Sequence, residues 1–307
     1  MAVKNDFFGT IISCVGGLYT IRQADGEFIK AKARGSFRYE KNSPLAGDNV
    51  VLHKEKDSFV VTKIEERKNS LIRPPMANLD TLFVSFATVD PMPNMLCIDK
   101  LLSVASAANI NTVVVITKSD LAPELAAKYE DIYKKAGYTV FVTSSSNGSG
   151  VEKVLDYIKN GGSGKIYAFA GASGIGKSSI MNALFPNLSL KTGAISEKIG
   201  RGKQTTRTVE LFPVSIGENG DTVLVADTPG FSVLEFTAIR GFKKKQLAST
   251  FPEFADFTCD CRYRDCTHTK EDECGIIDAI ERGNIAKERH ESFLAMYEEL
   301  SKIPEWE

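Results

Sequence analysis

No stretch of the 307-residue sequence comes near the roughly 20 consecutive apolar residues that a membrane-spanning helix needs. The N-terminal run Met1-Ala2-Val3-Lys4-Asn5-Asp6 also lacks the apolar core of a signal peptide, so a cytoplasmic protein without a membrane partner is expected. Charge of one sign is not in excess either: Lys plus Arg number 38 and Asp plus Glu 39, a formal net charge of -1. This excludes the globally basic character of many nucleic-acid-binding proteins and leaves local patches as the route to RNA. There is no internal repeat and no low-complexity tract. The 43% hydrophobic and 25% charged residues are the proportions of an ordinary folded protein.

What is present divides into three regions, as a chain too long for one typical core should. Residues 1–66 carry short alternating runs such as Gly9-Thr10-Ile11-Ile12 and Asn49-Val50-Val51-Leu52, split by Gly16-Gly17, Asp25-Gly26 and Gly47-Asp48, which suggests a small antiparallel barrel. Residues 67–231 alternate apolar strand candidates (Leu82 to Ala87, Val113 to Ile116, Thr139 to Val142, Ile166 to Ala170, Val223 to Ala226) with helical stretches at Pro123 to Ala136 and Val151 to Lys159. That order predicts a mostly parallel α/β sheet covered on both faces. Residues 232–307 have helical periodicity at Ala238 to Ala248, Ile276 to Arg282 and Ile285 to Leu300, with Gly283 and Asn284 as stop and N-cap between the last two.

The chemistry concentrates in the central region. Gly171-Ala172-Ser173-Gly174-Ile175-Gly176-Lys177-Ser178-Ser179 fits GxxxxGKS, lies after an apolar strand and opens a helix. Its glycines let backbone N–H groups turn inward around a triphosphate, Lys177 reaches the β/γ-phosphates, and Ser178 offers a hydroxyl to Mg²⁺. Asp227-Thr228-Pro229-Gly230 fits DxxG, in which the Asp holds Mg²⁺ through water and the Gly N–H meets the γ-phosphate; taken alone it reads as a turn. The polar, basic Gly200-Arg201-Gly202-Lys203-Gln204-Thr205-Thr206-Arg207 lies where a mobile switch would give a Thr hydroxyl to Mg²⁺, and Thr205 and Thr206 are equally placed.

Thr117-Lys118-Ser119-Asp120 precedes all of these. Asp120 can accept both guanine N1–H and N2–H, which selects GTP over ATP; a helix N-cap is its alternative role. Thr117 stands where Asn is usual, a departure expected to weaken support of the neighbouring loop. Thr143-Ser144-Ser145 follows the next strand, where backbone contacts to the base are common. The base-reading segments therefore precede the phosphate loop, the reverse of an ordinary GTPase.

Cys14 and Cys97 stand alone, whereas Cys259, Cys261, Cys266 and Cys274 crowd near His268, which in a cytosolic chain reads as metal binding rather than disulfides.

With these motifs the chain resembles the circularly permuted GTPases, specifically the ribosome small subunit-dependent GTPase A family, over nearly its whole length. The resemblance implies an N-terminal OB-fold, a permuted P-loop GTPase domain and a mainly helical zinc-binding C-terminal domain. It implies a monomeric enzyme that hydrolyses GTP to GDP late in small-subunit maturation and is stimulated by that subunit and its rRNA. The family's Cys-x4-Cys-x-His-x5-Cys spacing maps one structural Zn²⁺ onto Cys261, Cys266, His268 and Cys274, with Cys259 as a spare thiol or a replacement for Cys261. The family commonly has His before the paired Thr, where this chain has Gln204; an amide can orient water but cannot act as a base. The residue after DxxG is Phe231, which cannot hold water, so Gln204 is the candidate for that role. Lys30, Lys32, Arg34 and Arg38, and the run Lys243-Lys244-Lys245, are the candidate RNA contacts. The competing expectation is an RNA-binding protein that uses GTP as a gating ligand with negligible turnover.

Overall fold

The structure, a computed structural model, describes residues 6–35, 37, 43–55, 58–72, 74–188, 209–217, 220–227 and 242–303. Strands β1 (Asp6–Val15), β2 (Leu18–Gln23), β3 (Phe28–Ala33), β4 (Asn49–Glu55) and β5 (Ser58–Ile64) close into a barrel in the order β1-β2-β3-β5-β4. Alternation turns Ile11, Ile21, Ala31, Leu52 and Val61 inward to form its core. Not every pair is antiparallel as expected: β3 and β5 run parallel. A closed ring of five strands cannot alternate in direction all the way round, so one parallel pair is unavoidable. Asp48, wholly buried before β4, accepts the Leu45 N–H at 2.7 Å and Arg67 Nε and Nη2 at 2.7 and 2.8 Å, fastening the barrel to the segment that follows it.

After a short hairpin of β6 (Ser70–Leu71) and β7 (Met76–Ala77) comes the central mixed α/β sheet. The chain divides into two compact units. One contains the barrel, the strand β11 (Ile166–Ala170) as far as Phe169, and the strands β12 (Leu211–Ser215) and β13 (Thr222–Asp227). There β11 and β13 pair in parallel, with Phe169 opposite Asp227, and β12 lies antiparallel on β13. The strand β12 is not among those expected from the sequence; it carries Pro213, which is tolerated because β12 is an edge strand.

The other unit contains β8 (Thr81–Ala87), β9 (Asn111–Thr117) and β10 (Thr139–Val142), with β9 and β10 parallel. Every residue of β8 is buried, as in a strand covered on both faces. Helix α1 (Met95–Ala107) is absent from the sequence reading; Asn94 caps it by accepting the Cys97 N–H at 3.1 Å. Helix α2 (Pro123–Lys135) has Pro123 in its first turn and Lys134 and Lys135 in its last, matching its dipole. Helix α3 (Val151–Asn160) follows β10, and α4 (Lys177–Leu184) follows the loop after β11.

In the C-terminal region the described part of the expected helix Ala238 to Ala248 is instead 3-10 turns, Lys244–Gln246 and Ala248–Thr250. Helices α5 (Gly275–Glu281) and α6 (Lys287–Ser301) match the last two predicted stretches. Gly283 takes φ +76° between them, whereas the N-cap of α6 is Ala286 rather than Asn284. Phe251, Phe254 and Phe293 form the aromatic core of this region, with ring centres 5.1–5.4 Å apart. No helix among the described residues is long and apolar enough to cross a membrane.

Candidate nucleotide site and metal centre

β11 is buried throughout and delivers the chain into Gly171, whose φ of +152° favours glycine. A Cβ there would lie 2.1 Å from the Ser85 carbonyl oxygen and 2.5 Å from Ile175 Cδ1. Gly174 (φ +80°) and Gly176 (φ +93°, the N-cap of α4) complete a loop whose amides precede a helix N-terminus, a ready-made anion cradle. Lys177, 8% exposed, donates from Nζ to the carbonyl oxygens of Gly171 at 2.9 Å and Ala172 at 2.8 Å, so its ammonium is folded across the loop. Ser178 and Ser179 follow in the first turn of α4. Ala172, Ser173 and Ile175 supply the loop's other amides. In the unit that holds β13, parallel pairing sets Asp227, the last residue of that strand, opposite Phe169 of β11.

Thr117 ends β9 and is 1% exposed. Its Oγ1 lies 2.5 Å from the carbonyl oxygen of Ile175 and 3.2 Å from that of Phe86, so the single hydroxyl proton has an acceptor in the phosphate loop and another in β8. Thr117, in place of the usual Asn, thus bonds directly to the neighbouring loop. Lys118 takes φ +54°, and its ammonium donates to the Asp90 carbonyl oxygen. The Ser119 N–H donates to the Thr143 carbonyl oxygen at 3.1 Å. Asp120 is not a helix N-cap; that position is Ala122. Instead Ser146 Oγ donates to Asp120 Oδ2 at 2.9 Å, and the Ser144 and Ser146 hydroxyls hold this exposed carboxyl below its ordinary range.

Thr143 and Ser144 are fully buried, with Thr143 Oγ1 donating to Ile116 O at 3.0 Å, while Ser145 is exposed. Ser146 escaped the sequence reading; the signal was the third serine of the run, two residues past Ser144 and thus on its side of an extended turn. Gln204, Thr205, Thr206, Gly230, Phe231 and Arg38 lie outside the described residues.

The second constellation joins Cys261, Cys266, His268 and Cys274, whose ligand atoms all lie within 4.8 Å of one another. Cys261 Sγ is 3.9 Å from Cys274 Sγ, and His268 Nδ1 is 3.5 and 3.6 Å from those sulfurs. Zn–S and Zn–N bonds of usual length give tetrahedral edges of about 3.8 Å (S–S) and about 3.5 Å (S–N), so the donor set fits a structural zinc. Cys259 is exposed and stands outside this group.

A strand–glycine loop–helix with a Thr-Lys-x-Asp segment bonded to it, preceding it in the chain, defines the class of circularly permuted P-loop GTPases. A family model described as RsgA GTPase matches residues 64–237, and one described as RsgA N-terminal domain matches residues 8–59. The chain belongs to the RsgA family of P-loop GTP hydrolases. It is 40% identical over 301 residues, covering 96% of this chain and 97% of the other, to the small ribosomal subunit biogenesis GTPase RsgA of Bacillus velezensis. To the protein of the same name in Bacillus subtilis it is 37% identical, over 95% of this chain and 97% of the other. Among solved structures, YjeQ from Thermotoga maritima superposes with a TM-score of 0.78 at 33% identity, covering 97% of this chain and 100% of that one. YloQ, described as a circularly permuted GTPase, gives 0.73 at 31%, covering 99% of each.

Proposed function

We propose that this chain hydrolyses GTP to GDP and phosphate in the cytoplasm, as a monomer, during late maturation of the small ribosomal subunit, and that the subunit stimulates it. The observation that carries the reading is the bond from Thr117 to Ile175, which sets the guanine-selecting Asp120 segment beside the phosphate loop. Asp120 accepts the two donors of the guanine edge, with Thr117, Lys118 and Ser119 shaping its loop and Thr143, Ser144 and Ser145 backing the base. Gly171 to Gly176 and the first turn of α4 (Lys177, Ser178, Ser179) receive the phosphates, and Lys177 leaves its two carbonyls for the β/γ-oxygens.

By their motifs, Ser178 and Asp227 would each offer Mg²⁺ a hard oxygen ligand, and the ion when bound neutralises charge developing on the phosphates. From the sequence, Thr205 or Thr206 completes that set, Gly230 meets the γ-phosphate, and Gln204 orients the attacking water. Cys261, Cys266, His268 and Cys274 hold one structural zinc.

The rRNA contact is assigned to the outer face of the barrel. Register places Arg22 opposite Phe28, Thr20 opposite Lys30 and Leu18 opposite Lys32, so cations and an exposed aromatic share one surface. Arg34 extends it, and Lys243 to Lys245 form a second basic run.

Hydrolysis is measured with and without purified small subunits, with ATP as control. Stimulated GTP turnover and inert ATP support the reading; unstimulated, negligible turnover favours a GTP-gated RNA-binding protein, the reading to which Phe231 in place of a water-holding residue points.

A further inference from the structure

Arg289 on α6 is 1% exposed and is held by carboxylates from two other parts of the chain. It donates from Nη1 to Asp99 Oδ1 on α1, from Nε to Glu253 Oε1 at 2.7 Å and from Nη2 to Glu253 Oε2 at 3.3 Å. Tyr133 on α2 donates its hydroxyl to the same Asp99 oxygen at 3.0 Å. The guanidinium carbon lies 4.5 Å from the centre of the Phe251 ring and 5.7 Å from that of Tyr133. Asp99 is wholly buried and Glu253 8% exposed. Removing one partner from such a cluster strands a buried charge, so its members are constrained to move together.

Contacts continue from this cluster to the nucleotide loops. The Tyr133 ring packs 5.6 Å from that of Phe86 on β8. The Phe86 carbonyl oxygen is an acceptor for Thr117 Oγ1, whose other acceptor is Ile175 O in the phosphate loop. Helix α2 begins at Pro123, directly after the Asp120 segment. The turn before α1 gives its Asp90 carbonyl to the Lys118 ammonium, and Cys97 and Ile98 of α1 line, with Gly171 and Ala172, one cavity of about 150 Å³. Two more ion pairs, Lys100–Glu299 and Lys128–Glu288, bind α6 to the same two helices, but they are more exposed and weaker levers.

We propose that Arg289 and Asp99 are positioning residues for guanine-nucleotide binding. Through them the C-terminal region holds α1 and α2, and with these the Thr117–Asp120 segment and the phosphate loop, in the gripping arrangement. The proposal rests on the reading of Thr117–Asp120 as the guanine-binding segment.

The test uses the full-length, zinc-loaded protein and a fluorescent GDP chased by excess unlabelled GDP. Arg289→Met and Asp99→Asn should each speed GDP release about 10-fold, within the usual range of coupling between sites. The double variant should release no faster than the faster single one, and Arg289→Lys should recover part of the loss. Glu288→Gln, which breaks only an exposed pair on the same helix, should leave release unchanged. Folded variants that release GDP at the wild-type rate overturn the proposal, because a purely structural Arg289 would lower the melting temperature without touching release. Should Arg289→Met not fold, amide exchange of wild-type α6 decides: GDP should slow it, tripolyphosphate, which lacks the base, should slow it less, and equal exchange with and without GDP overturns the proposal. A wild-type protein that binds ADP as well as GDP would defeat the guanine reading instead, and the coupling would then stand or fall on whether Arg289→Met changes release of either nucleotide.

Discussion

The hydroxyl of Thr117 lies 2.5 Å from the carbonyl oxygen of Ile175, joining the segment proposed to select the base to the loop proposed to hold the phosphates. A buried hydrogen bond of this kind contributes about 1–1.5 kcal/mol net. Thr117→Val keeps the shape and removes the donor, so affinities for GTP and GDP should fall together by about 5–10-fold. The preference over ATP should be kept, because the base contacts are untouched. Equilibrium binding of GTP, GDP and ATP checks both statements, and a Thr117→Ser variant should restore the affinity.

Asp120 carries the opposite signature. Asp120→Asn turns an acceptor pair into one acceptor and one donor facing the guanine donors, which should weaken GTP by about 100-fold or more. A xanthine base, which offers a carbonyl where guanine has its amino group, should bind the variant better than the wild type. Competition between GTP and XTP on both proteins reads this out; a variant that lost GTP without gaining XTP would place Asp120 in a structural role.

The same carboxylate sets a pH expectation. The Ser144 and Ser146 hydroxyls depress its pKa, so the ionised form persists as pH falls through the ordinary carboxylate value and is lost only below it. The GDP-over-ADP preference should therefore be flat from pH 8 down to about pH 5. Ser146→Ala removes one of the two stabilising hydroxyls and should move the acid limb of that preference upward.

The sites that chemistry makes rigid were the legible ones. Glycines at 171, 174 and 176 and the Cys/His spacing impose geometry by residue type alone, and both form compact constellations. Helix α1 was missed although Asn94 caps it, because Pro91-Met92-Pro93 before it and Ser106-Ala107-Ala108-Asn109 at its end look like a linker. The Arg289 cluster was invisible for another reason: Asp99, Glu253 and Arg289 are far apart in sequence, and each is of a type that usually faces solvent. Neither the Thr117–Ile175 bond nor the Ser146–Asp120 bond follows from a motif, since each depends on where a parallel strand ends relative to its neighbour.

Gly171 tests the phosphate loop directly. Alanine there would put a Cβ 2.1 Å from a backbone oxygen of the central strand β8, which cannot yield as a flexible side chain could. Gly171→Ala should lose at least 10-fold in GDP affinity and several degrees of melting temperature, of the order expected for backbone strain of 1–3 kcal/mol. Gly162→Ala is the control: its φ of +81° also lies in the left-handed region, but no atom of the described residues lies within 4 Å of the added Cβ, so it should cost stability without affecting nucleotide binding.

Metal removal tests what holds the C-terminal region in shape. The segment carrying Cys261, Cys266, His268 and Cys274 has no regular secondary structure beyond 3-10 turns until α5 begins. Two of its non-glycine residues, His268 at φ +58° and Glu273 at φ +57°, sit in the left-handed region at a cost of about 1–3 kcal/mol each. Such a segment keeps its shape only if something overdetermines it, and four ligands on one bound zinc would do so. His268 also passes the constraint inward, since His290 Nε2 on α6 contacts its carbonyl oxygen at 2.8 Å and its ring lies 6.0 Å from that of Phe254. Stripping with a chelator, or Cys266→Ser, should therefore lower metal content from one zinc per chain to none and raise amide exchange first across residues 258–274 and then in α6. GTP should still bind, because no ligand of the cluster belongs to the phosphate loop or to the Asp120 segment, but its release should speed up as α6, which carries Arg289, loosens. Metal analysis together with exchange mapping checks this, and a stripped protein whose 258–274 segment remained protected would show that packing, not metal, holds it.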